Sequence, residues 1–181
     1  ILVEHYIISS GLREIIEGTA IAKDFTHIYA SSFYYNEHGE PCWPAQVINY
    51  TNKTQFLFRI EKGILDINDN AVNDHFAEGE LRVPFRNIVY IGDSATDIPC
   101  MRLVNSLGGH SVGVYDLENT ASKDTVRRMI RDERIRYYVP ADYTKGSEMD
   151  ILIHRIIDKT AAYEVLEEKH LRDRKEAVSL K

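Results

Sequence analysis

Cysteine is scarce in this chain of 181 residues: only Cys42 and Cys100 occur, in separate segments and without metal-type spacing. That argues against a disulfide framework and predicts free thiols in a reducing compartment, with the cytoplasm as the default location. Positive charge is also in short supply. Lys and Arg number 22 against 28 Asp and Glu, a net charge of -6, and a pI near 5.6 leaves no basic footprint for nucleic acid. No apolar run is long enough to span a bilayer, so no membrane partner is expected. Glycine-rich nucleotide loops of the Gly-x-Gly-x-x-Gly or Walker type are missing, and so is a Gly-x-Ser-x-Gly elbow. The seven histidines are scattered and match no zinc site.

What is present is ordinary globular composition, 44% hydrophobic and 28% charged, sufficient for one domain with a real core. Apolar runs alternate with helical periodicity. Val3 to Ile8 reads as a strand, Ser9-Ser10-Gly11 as a turn, and Leu12, Ile15 and Ile16 as a helix closed by Gly18. His27 to Tyr35 is a second strand, Asn36 to Gly39 a turn and Ala45 to Tyr50 a returning strand, with Pro41 and Pro44 kept off any central sheet position. Gln55 to Lys62 and Asn70 to Glu78 read as helices, and Ile88 to Ile91 as a buried strand. A helix at Ile98 to Ser106, a strand at Ser111 to Tyr115, a helix at Thr125 to Arg134, a strand at Arg136 to Val139 and a helix from Ser147 complete the pattern. Strands separated by helices predict an α/β, Rossmann-like, mainly parallel sheet with flanking helices. The division expected is a core over residues 1–157 and a helical, charged extension over 158–181, with fraying expected from Glu167 to Lys181.

Three places carry candidate chemistry. Ile91-Gly92-Asp93-Ser94-Ala95-Thr96-Asp97 sets two carboxylates beyond a buried strand, where open α/β sheets bind ligands. Oxygen ligation of that kind suits Mg²⁺, and the paired charge calls for a cation or lysine nearby. The alternative is a polar turn at Asp93 and a simple helix cap at Asp97. Lys53, at a helix start, is the candidate counter-charge, against an alternative in which it points into water. Ser9, Ser10 and Gly11 precede a helix N-terminus and offer a hydroxyl and free N–H groups to a phosphate oxygen, against an alternative in which a serine is only an N-cap.

Taken in order, Ser9-Ser10-Gly11, Lys53-Thr54 and Gly92-Asp93 with Asp97 resemble the second, third and fourth motifs of the haloacid dehalogenase-like hydrolase superfamily. Tyr6-Ile7-Ile8-Ser9-Ser10-Gly11 and Tyr138-Val139-Pro140-Ala141-Asp142-Tyr143 are similar to its phosphoserine phosphatase-like branch. The resemblance implies that Ser9 binds the transferring phosphoryl group and that Lys53 neutralises it. It also implies that Asp93 ligates Mg²⁺, while Asp97 supports the metal or pairs with Lys53. Ser10 and Ser94 stand where close relatives often carry glycine.

The same resemblance exposes a gap. Nothing before Ser9 resembles the superfamily's first motif, the Asp-x-Asp turn that supplies nucleophile and general acid/base. Asp66-Ile67-Asn68-Asp69 has the wrong spacing and reads as a polar turn or cap. The chain opens on Ile1, without a signal-peptide pattern, and the expectation is a truncated product of a longer parent, lacking the first strand and the cap. That strand would lie between the Val3–Ile8 and Ile88–Ile91 strands, so its loss opens a gap, unless the flanking strands pair directly or a partner chain of a homo-oligomer fills the slot. The implied function is an Mg²⁺-dependent phosphate-monoester hydrolase acting on a small phosphorylated substrate through an aspartyl-phosphate, with this chain alone inactive. The alternative is an inactive pseudo-phosphatase or a phosphate-binding module.

Overall fold

The computed structural model describes residues 1–179. Among the described residues six strands are formed: β1 (Tyr6–Leu12), β2 (His27–Tyr35), β3 (Pro41–Gln46), β4 (Val89–Gly92), β5 (His110–Tyr115) and β6 (Tyr137–Pro140). Five α-helices accompany them: α1 (Arg13–Glu17), α2 (Lys53–Lys62), α3 (Ile98–Ser106), α4 (Thr120–Arg131) and α5 (Glu148–Ser179). The fold is mixed α/β, with parallel pairing and flanking helices, as the alternating pattern predicts.

The strands form two three-stranded sheets rather than one, in the orders β1-β2-β3 and β4-β5-β6. In the first, β1 runs parallel to β2 and β3 returns antiparallel; in the second all three strands are parallel. β1 and β4 belong to different sheets, so the direct pairing considered for these two strands is not made. What joins the halves is apolar packing. Phe56 and Ile60 of α2 pack with Tyr29 and Ile48 under the first sheet, while Leu57 of the same helix packs with Tyr90, Cys100, Met101 and Val104 under the second. Ile8 and Val83 touch both clusters. A third cluster, Val112, Val114, Val139 and Met149, lies between β5, β6 and α5.

Several expectations are corrected. β1 continues through Ser9, Ser10 and Gly11 to Leu12, with a register shift against β2 between Ile8 and Leu12, so the serines sit on an irregular strand end and not in a turn. β3 spans Pro41–Gln46 rather than Ala45–Tyr50; it is an edge strand, so Pro41 and Pro44 stand off any central position as expected, where a missing N–H can face away from the ladder. Asn70 to Glu78 is not a helix; 3₁₀ turns at Asn70–Asn73 and Glu78–Glu80 stand there. The cause is visible in α2. Buried Arg59 donates to the carbonyls of Asp66, Ile67 and Asp69, and Lys62 to those of Val72 and Asp74, so side chains bind the carbonyls of this loop and hold it in an irregular path.

α5 is unbroken from Glu148 to Ser179, with no interruption at residue 157. Arg86 and Asn87 both donate to Glu164 Oε1 at 3.0 Å, tying its middle to the domain. No helix among the described residues is long and apolar enough to cross a membrane.

Candidate active site

The carboxyl ends of the strands converge on a cavity of about 630 Å³. Ser9 and Ser10 from β1, Lys53 from α2, Asp93 and Asp97 after β4, Asp116 after β5 and Tyr143 after β6 all line it. The chain thus brings five of the six sequence-predicted residues into one wall-to-wall space. Gly11 is not among the lining residues; its N–H donates to Ser9 Oγ at 3.0 Å and holds that hydroxyl in place.

Lys53 opens α2, ten residues long and ended by Gly63 in the left-handed region at φ 75°. A cation at a helix N-terminus is disfavoured by the dipole. Here the disfavoured charge is buried, only 6% exposed, and answered by Asp97, also 6% exposed, across a 2.7 Å Nζ···Oδ1 contact. Asp97 reaches that position from the short 3₁₀ turn Ala95–Asp97, directly before α3, whose first turn carries Pro99. Its Oδ1 also accepts from the Tyr90 hydroxyl at 2.9 Å, and its Oδ2 from Ser94 Oγ at 3.2 Å. Pairing with Lys53, one of the two roles implied for Asp97, is formed, and every hydrogen bond to its side chain is a charge-assisted one.

Gly92 makes this possible. A Cβ built there would stand 2.8 Å from Asp97 Cβ, Cγ and Oδ2, closer than any side chain tolerates. The sequence reading gave Gly92 to a tight turn; its second use is steric clearance for a carboxylate.

Asp93 differs from Asp97 in burial and in bonding. It is exposed, lines the cavity and takes part in no side-chain hydrogen bond among the described residues. Its charge, together with partial burial, pushes the Tyr143 hydroxyl above its ordinary range, burial contributing most. An open carboxylate at a strand end suits Mg²⁺, which keeps several waters and takes one or two carboxylates. Asp93 is the residue that would hold it. Among the described residues there is no group of three His, Cys, Asp or Glu side chains that could close around a metal, so such an ion would complete its shell with waters, carbonyl or hydroxyl oxygens, or groups from outside this chain.

Tyr90, Asp116 and Tyr143 were missed by the sequence reading. Tyr90 carries a usable signal: a tyrosine inside a buried strand needs a partner for its hydroxyl. Asp66 and Asp69 do form the expected polar turn, accepting from the N–H groups of Asn68 and Ala71. The arrangement as a whole presents one cation paired with Asp97, two exposed carboxylates, Asp93 and Asp116, and the hydroxyls of Ser9 and Ser10 to a single space, a set suited to an oxyanion accompanied by a metal ion.

No family model matches the chain, and no solved structure matches it. An uncharacterized protein of Borreliella burgdorferi is 25% identical to it over 158 residues, covering 80% of this chain and 54% of that protein. The chain spans about half the length of this curated relative.

Proposed function

We propose that the protein containing this chain is an Mg²⁺-dependent phosphate-monoester hydrolase of the haloacid dehalogenase-like type. The observation that carries the reading is the convergence of Ser9, Lys53, and the neighbouring Asp93 and Asp97, from three separated segments, on one cavity at the carboxyl ends of the strands. In this reading Ser9 Oγ donates to a phosphoryl oxygen, and the Lys53 ammonium, held by Asp97, neutralises charge on the transferring group. Donors fixed before reaction contribute strongly in a site shielded from water. Asp93 holds Mg²⁺, which when bound offsets charge between the anionic reactants.

The nucleophile is a carboxylate supplied from outside this chain. It attacks phosphorus, the bond from phosphorus to the ester oxygen breaks, and the alcohol leaves with a proton from a general acid; water then releases inorganic phosphate from the acyl phosphate. Two features of the fold support a supply from outside. β1 and β4 end at the same cavity yet share no hydrogen bonds, and Ile91 of β4 is 40% exposed. A strand inserted between them would pair with both edges and deliver its end residue to the cavity.

The test is hydrolysis of a generic aryl phosphate by the full-length protein, with and without Mg²⁺, repeated for Asp93→Asn. Turnover that needs Mg²⁺ and is lost in the variant supports the reading. Metal-independent turnover, or an unaffected variant, rejects it, and phosphate binding without any turnover identifies a binding module instead.

A further inference from the structure

The buried end of the site contains a hydroxyl that the proposed chemistry does not use. Tyr90 is 8% exposed, on the short strand β4, and its hydroxyl donates to Asp97 Oδ1, the same oxygen that accepts from Lys53. Three donors therefore hold one carboxylate: two on Oδ1 and Ser94 on Oδ2. A carboxylate held by a single lysine can turn about its terminal torsion, which is broad and soft. With a donor fixed on a rigid strand and another on the second oxygen, it cannot. Clearance at Gly92 leaves room for this one orientation. Cys100, wholly buried, lies against the same hydroxyl from α3, and burial pushes its thiol up to about 11, so it stays protonated and exerts no charge there.

We infer that Tyr90 is a positioning residue, whose hydroxyl fixes the Asp97 carboxylate and thereby aims the Lys53 ammonium into the cavity. This rests on the reading of the cavity as a phosphoryl site for its consequence in catalysis, but not for the linkage itself. Lys53 reaches the cavity from the first position of a helix and has no other anionic partner among the described residues. Its direction is therefore set by where Asp97 points, and Tyr90 sets that.

The experiment compares Tyr90→Phe with Cys100→Ala in the full-length protein. Both remove a buried group from the same contact, but only the first removes a donor to Asp97. Acetylation of each lysine by acetic anhydride is followed by mass spectrometry, with exposed Lys145 as internal reference. Loss of one charge-assisted hydrogen bond is expected to raise the Lys53 rate roughly tenfold in Tyr90→Phe. Cys100→Ala is expected to leave it within about twofold, although both variants lower the melting temperature. Equal Lys53 rates in wild type and Tyr90→Phe, or equal increases in the two variants, overturn the inference. Affinity for inorganic phosphate is measured alongside: a wild type that binds none sinks the phosphatase reading, while the acetylation rates still decide the role of Tyr90.

Discussion

Lys53 and Asp97, 44 positions apart in sequence, meet at 2.7 Å with both side chains under a tenth exposed. A pair so placed gains little over an apolar replacement of both, but losing one partner strands the other. The two losses are unequal here. Lys53→Met leaves Asp97 with Tyr90 and Ser94 as donors, whereas Asp97→Leu leaves Lys53, Tyr90 and Ser94 without their acceptor. Urea denaturation is expected to show a cost of about 3 kcal/mol for Lys53→Met and about 5 kcal/mol or more for Asp97→Leu. The double variant is expected to fall short of the sum by about 1–3 kcal/mol. Strict additivity contradicts a direct pair.

Gly92→Ala tests the clearance argument. The added methyl would collide with three atoms of Asp97, so the carboxylate must move. We expect about 1–3 kcal/mol of destabilisation and, on the proposed function, loss of the phosphatase activity assayed with the full-length protein. The control is Gly79→Ala, where a Cβ meets nothing within 4 Å; a melting temperature and activity close to wild type are expected there.

Far from the cavity, His110 at the start of β5 is 2% exposed, stacks on Tyr137 and accepts from Lys159 through Nε2 at 3.3 Å. Its Nδ1 is buried without a partner. Burial, reinforced by Lys159 and Arg136, lowers its pKa from 6.5 to about 4. Below 6.5 the unfolded histidine takes up a proton that the folded one refuses until about 4. Stability is therefore complete above 6.5, falls as pH drops through that window, and is lost from this source below it. The contribution to the slope is at most about 1.4 kcal/mol per pH unit. Denaturation curves between pH 7 and pH 4 are expected to show it, and His110→Gln to remove it.

How much of this was legible in the sequence depended on the kind of force at each place. β2 over His27–Tyr35 and α3 over Ile98–Ser106 match their expected bounds, since local apolar pattern and capping agree with the tertiary fold. The loop from Ile64 to Asp74 did not, because its path follows from Arg59 and Lys62 on another element. Pro41 and Pro44 mark a stretch kept off any central position, and β3 is an edge strand; its bounds, Pro41–Gln46 instead of Ala45–Tyr50, were not legible because a proline on an edge can face its missing N–H away from the ladder. At the site, ordered residue types pointed to Ser9, Lys53, Asp93 and Asp97, and the cavity is lined by all four. Tyr90 stayed hidden inside an apolar run, since nothing local says which hydroxyl will face a distant lysine.

The most direct test of the account is to locate an oxyanion on the protein. A crystal structure of the full-length protein grown with Mg²⁺ and soaked with tungstate is predicted to place the anion between Ser9 and Lys53, with the metal on Asp93. An empty cavity with tungstate instead on the arginine-lined groove of Arg127, Arg128 and Arg131 on α4 would contradict it.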